Sequence, residues 1–261
     1  MSSSMEENLE RIEEVLIRET QKASSIITDL IDFTINEYEL GHLTNEESVY
    51  KILVHSIKYQ FPSILASELD GAEKGGLVFS AREFSHSKKG SEERKTGADF
   101  AISLGVNIPD YQSSTAVYVQ SKAETRNSGV GTGDLGDASL RMLEHTSDSF
   151  IFVFPLGGEL AIIPAYSTAG IHVGDGTITQ NFHKTLPRMG PEDFMSKFAQ
   201  GFVGDHRMVP SAIHPLAWEE REHVVRALQE YPVSRLLQIQ VTHRDVEPTS
   251  NDMGNIYYPN Y

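Results

Sequence analysis

Between residues 76 and 167 the chain strings together runs rich in β-branched and aromatic residues. They are GLVFSAREFS (76–85), GADFAISLGVNI (97–108), STAVYVQSKAE (114–124), SFIFVFPL (149–156) and ELAIIPAYS (159–167). Segments of this length and composition, separated by turn-forming residues, read as strands. Their connections are punctuated in the ways turns require. SHSKKGSEERKTG is a charged turn, IPDYQSS suits a hairpin connection, and LGG is a tight one. Between the third and fourth runs lie a Gly-rich loop, TRNSGVGTGDLG, and a short helical run, DASLRMLEHT. One mixed sheet flanked by helices, an α/β architecture, is the expectation.

The flanks differ in period. Leu9, Ile12, Val15 and Leu16, then Ile26, Ile27, Leu30, Ile31 and Phe33 recur at helical spacing. After Thr44 and Asn45, a plausible cap, Val49, Ile52, Leu53 and Ile57 line one helix face until Pro62. Residues 1–70 are therefore expected as a helical segment packing on a core of residues 71–245, with 246–261 a polar tail. Beyond residue 167 the chain reads as Gly-rich and irregular. GPEDFMSKFAQGFVGD then suggests a short helix, HPLAWEEREHVVRALQEY a longer one, and SRLLQIQVTHRD a last strand.

Composition narrows the function classes. Apolar residues make up 39% and charged residues 23% of 261, the balance of an ordinary soluble protein. Cysteine is absent, which excludes disulfides and thiolate metal sites. The opening MSSSMEENLERIEEVL is acidic and amphipathic, unlike a secretory leader. The apolar stretch SFIFVFPLGGELAIIPA is too interrupted to span a bilayer, so a cytoplasmic protein without membrane contact is expected. A net charge of −15 counts against an indiscriminate nucleic-acid coat, though not against a local basic cleft.

The second and third runs carry the chemistry. Asp99 begins one strand, and Gln120 and Lys122 end the next, so a hairpin puts all three at one end. Gln120 and Lys122 are two apart and share a face of the pleat. With Asp99 on that face and the Ser121 carbonyl beside it, a hard divalent cation such as Mg²⁺ gains oxygen ligands from both strands. Lys122 can then orient a metal-bound water or stabilise charge on a phosphate oxygen.

An acid followed about twenty residues later by Q-x-K, on a strand hairpin, resembles the PD-(D/E)XK nuclease superfamily. GADF…VYVQSK, then a helix with RML and the pair SFIFVFP–LAIIPA, is similar to its Q-x-K branch of Mrr-type restriction enzymes and antiphage effectors. The resemblance covers roughly residues 75–170. It implies a restriction-endonuclease-like mixed central sheet flanked by helices. It also implies a Mg²⁺- or Mn²⁺-dependent endonuclease acting on DNA, with a role in antiviral defence. On this reading Asp99, Gln120 and Lys122 are catalytic, and Asp99, Glu93, Gln120 and Ser121 hold the metal. Glu37 and Glu47 are candidates for a further acid from a preceding helix. Gln120 departs from the commoner Glu and removes a negative charge, which Glu93 or Glu92 would restore. The acidic surface implies latent activity, released by a homo-oligomer or a regulatory protein partner.

Blander readings stand beside this one. Asp99 can cap a turn, and Lys122 can protect an edge strand. A catalytically inactive protein of the same fold, acting as a binding or scaffolding subunit, is the alternative. GVGTGDLGD (129–137) lacks the lysine of a Walker loop and reads as a loop beside the site, not as a nucleotide cradle. His206, His214 and His223 lack metalloprotease spacing, and the serines lack a nucleophile elbow.

Overall fold

The computed structural model describes residues 25–26, 28–43, 46–56, 77–85, 95–108, 111–125, 129–174, 176–208, 233 and 235–243. The long strands are β1 (Leu77–Ser85), β2 (Phe100–Ile108), β3 (Tyr111–Thr125), β5 (Ser149–Phe154), β6 (Ala161–Pro164) and β7 (Arg235–His243). A two-residue strand, β4 (Gly129–Val130), folds back onto the end of β3. The sheet runs β1-β7-β2-β3-β5-β6. Pairing is mixed: β7 with β2 and β3 with β5 are parallel, and the remaining neighbours are antiparallel. The α/β expectation is met at this level.

Helices cover both faces, which explains why the strand sequences are apolar runs with little alternation. All six residues of β5 are buried. Against one face lie helix α1 (residues 28–39), α2 (Glu46–His55) and α6 (Pro191–Ala199). Leu30, Ile35, Val49 and Leu53 there share a core with Phe100, Ile102, Val117, Val119 and Phe152. Phe194 of α6 meets Phe150 and Phe152 edge-on at ring separations of 5.2 and 5.4 Å. Such pairs add to the area they bury.

Against the other face lie α3 (Leu135–His145), α4 (Ala165–Val173) and the single turn α5 (Phe182–Thr185). Leu135 and Met142 of α3 and Phe182 of α5 pack there with Ala101, Tyr118, Ile151 and Ile163. Helix α3 is tied to α4 by a 2.7 Å hydrogen bond between the Ser139 and Thr168 hydroxyls.

The sequence reading is corrected in three places. The run 97–108 begins as a bend, with the strand starting at Phe100, because Gly97 has φ +73°. The run 159–167 is strand only to Pro164, which ends it at φ −59°, ψ 133° and precedes α4. The residues after 167, expected to be irregular, continue as helix to Val173. The predicted helix over 214–231 and the tail lie outside the described residues. Among the described residues no helix is long and apolar enough to cross a membrane.

Candidate functional site

The sheet presents its polar groups at one end. Strand β3 alternates along its length. Val117, Val119 and Ala123 enter one core, while Ala116 and Tyr118 enter the other. On that second face the next positions are Gln120, Lys122 and Glu124. The apolar stripe thus turns polar toward the carboxyl end of β3, beside its parallel neighbour β5. Strand β2 runs the other way, so the residue before it, Asp99, arrives at the same end.

Gly97 delivers Asp99. Its positive φ bends the chain beneath α3, and a Cβ there would sit 2.2 Å from the Ala138 carbonyl oxygen. No side chain fits in so narrow a gap. Beyond the bend the Asp99 N–H donates to the Val119 carbonyl at 2.9 Å, which seats Asp99 opposite Gln120.

Asp99 Oδ2 accepts three hydrogen bonds: from the Ser121 N–H at 2.6 Å, the Ser121 hydroxyl at 2.7 Å and Gln120 Nε2 at 3.0 Å. Burial pushes the Asp99 carboxyl above the ordinary aspartate value of 3.8, against the lowering pull of the Ser121 bonds, the Lys122 charge and the Gln120 amide. Burial outweighs these together. The Lys122 side chain is 12% exposed, and its ammonium stands 3.9 Å from the Asp134 carboxylate at the start of α3.

The structure therefore brings Asp99, Gln120, Ser121 and Lys122 together. Ser121 meets Asp99 through its hydroxyl and N–H, and Gln120 through its NH₂. The other named acids sit elsewhere. Glu37 pairs with His42 at 2.9 Å, Glu47 falls in the first turn of α2, and Glu92 and Glu93 lie outside the described residues. Among the described residues no group of three His, Asp or Glu side chains gathers as metal ligands.

Sequence reasoning passed over a second polar group, two residues beyond Lys122. Glu124 Oε2 accepts the Leu156 N–H at 3.0 Å, and its Oε1 accepts from Lys184 Nζ at 3.3 Å. Burial pushes the Glu124 carboxyl up, but Leu156 and Lys184 outweigh it and leave it below 4.5. The Tyr38 hydroxyl donates to the Glu124 carbonyl at 2.8 Å, pinning this end of β3 to α1. His183 is 1% exposed, with Nε2 3.9 Å from Glu124 and neither ring nitrogen hydrogen-bonded among the described residues. Burial lowers its pKa below 6.5, with Lys184 and Arg188 adding to the effect against the pull of Glu124. The alternation Gln-x-Lys-x-Glu was visible in the sequence. His183, 59 residues along from Glu124, left no local signal.

Comparison of the chain with family profiles, curated proteins and solved structures gives no match. What stands is the class that the fold and this cluster define: an α/β protein with a mixed, open sheet and a polar site at one end of its central strands.

Proposed function

We propose that the chain is a cytoplasmic, metal-dependent nuclease that hydrolyses DNA phosphodiester bonds at Asp99, Gln120 and Lys122. The observation that carries this reading is the half-buried Asp99 carboxylate, bonded to Gln120 and under the charge of Lys122 at the end of two adjacent strands. The oxygen donors on hand suit Mg²⁺ or Mn²⁺, which bind through one or two carboxylates and keep several waters. Asp99 would hold the ion. Gln120 would contribute its amide oxygen after a half-turn of the amide, and Ser121 keeps the carboxylate oriented. When bound, the ion supplies Lewis-acid polarisation of the phosphoryl oxygen and a more acidic water. Lys122, its stem packed away from water, sets a fixed positive charge where negative charge grows on the phosphate. An antiviral effector role follows from the Q-x-K resemblance.

Incubation of supercoiled plasmid with Mg²⁺ or Mn²⁺, against an EDTA control, tests the reading. Wild type should nick the DNA. Lys122→Ala should be slower by at least about 100-fold while keeping its circular dichroism spectrum and unfolding midpoint. A Lys122→Ala protein as active as wild type overturns the mechanism.

One observation favours a second reading, a catalytically inactive binding or scaffolding subunit. Asp99 Oδ2 is already occupied by three donors within the protein. Under that reading no metal elicits cleavage, and Asp99→Asn leaves every partner interaction unchanged.

A further inference from the structure

Asp134 holds the N-cap position of α3, where an aspartate ordinarily accepts a hydrogen bond from the first helical turn. Here its side chain makes no capping bond. Its carboxylate instead lies 3.9 Å from Lys122 Nζ, with Asp134 68% exposed and Lys122 12% exposed. The carrier is a turn with room around it. A Cβ placed on Gly131 or Gly133 would have no atom within 4 Å. A helix start thus forgoes its own cap to put a carboxylate against the lysine of the site.

We infer that Asp134 is a built-in stand-in for the substrate phosphate, occupying Lys122 until a phosphodiester backbone displaces it. This rests on the nuclease reading and names the group that controls access to it. At 3.9 Å the pair is a loose one, between one nearly buried cation and one exposed anion, and such pairs are weak enough to exchange. A phosphate oxygen offers Lys122 the same charge and hydrogen-bond acceptors.

The experiment compares wild type, Asp134→Asn, Lys122→Ala, the double variant and Asp137→Asn. Asp137 is a charge control on the same helix, paired with His172 at 3.1 Å. Binding of a fluorescein-labelled DNA oligonucleotide is followed by anisotropy in EDTA at low salt. Asp134→Asn should bind roughly fivefold more tightly than wild type. Asp137→Asn should match wild type, and in the Lys122→Ala background Asp134→Asn should change nothing. Affinity of Asp134→Asn equal to or weaker than wild type, or a gain that survives loss of Lys122, overturns the inference. Should no variant bind or cut DNA, the nuclease reading falls. The inference is then judged on inorganic phosphate. Millimolar phosphate should raise the unfolding temperature of Asp134→Asn more than that of wild type, and the excess should vanish without Lys122. Equal shifts overturn it.

Discussion

Asp99 and Glu124 are carboxylates at the same end of one sheet, and their surroundings drive them in opposite directions. Asp99 receives its three bonds from a hydroxyl, a backbone amide and a carboxamide, and burial keeps its pKa raised. Glu124 is met by a backbone amide and the Lys184 ammonium, and its pKa is lowered. The difference lies in burial, which at Asp99 outweighs the hydrogen bonds and the Lys122 charge, and at Glu124 does not outweigh Leu156, Lys184 and His183. A carboxylate kept costly to ionise is ready for a cation. One already matched by an ammonium serves as a brace, here joining β3 to α5 and to the turn after β5.

The largest effect should come from breaking the Asp99 side at its hinge. Gly97→Ala puts a side chain at φ +73° and 2.2 Å from the Ala138 carbonyl oxygen. It should cost about 3 kcal/mol or more in a urea unfolding measurement and remove cleavage. Gly131→Ala, in open space, should cost under about 1 kcal/mol. Equal costs would deny Gly97 its role.

A smaller effect separates two replacements of Asp99. Asp99→Ala strands the Ser121 N–H, the Ser121 hydroxyl and the Gln120 NH₂, a loss of about 2–3 kcal/mol. Asp99→Asn leaves an oxygen in place. Because the folded pKa lies above the unfolded one, Asp99 favours the fold below pH 3.8, and that contribution is lost as pH rises through the folded value. Asn relieves the cost of the ionised group, so its unfolding midpoint at neutral pH should stay within about 1 kcal/mol of wild type. Both variants should fail to cut DNA.

The smallest effect sharpens the Glu124 side. His183 is held below 6.5, so as pH falls through 6.5 the unfolded chain takes up a proton that the native imidazole resists, and stability drops. Glu124, held below 4.5, contributes stability that is lost at lower pH, as its folded pKa is crossed. His183→Phe should flatten the unfolding midpoint between pH 7 and pH 5.5, a change of about 1 kcal/mol, and leave the acid loss due to Glu124. An unchanged profile in that window would mean that His183 is not the group responsible.

How much of this was legible in the sequence follows from what is local. The strand runs, the helix after the Gly-rich loop and the i, i+2 sharing of a face by Gln120 and Lys122 are matters of period, and each reads from neighbours. The convergence of Asp99 needed only a hairpin. The two hydrogen bonds from Ser121 to Asp99 were out of reach, because they depend on the bend at Gly97, which a pattern of apolar residues does not encode. The helical continuation past Pro164 was obscured because its first turn, Ala165-Tyr166-Ser167, keeps the apolar look of the strand before it. The approaches of His183 to Glu124 and of Asp134 to Lys122 are tertiary, and only the packing of α3 and α5 on the sheet sets them.

The position of β7 bears on how the molecule is made. Its residues, Arg235–His243, slot between β1 and β2, so among the described residues β1 joins the sheet through a strand synthesised much later. A nascent chain halted near residue 208 presents two long strand flanks without their shared neighbour, surfaces that invite pairing with other chains. Closing so distant a contact is slow. Assembly of the sheet should therefore lag behind synthesis, with the interval before β7 docks the one in which a chaperone has most to protect.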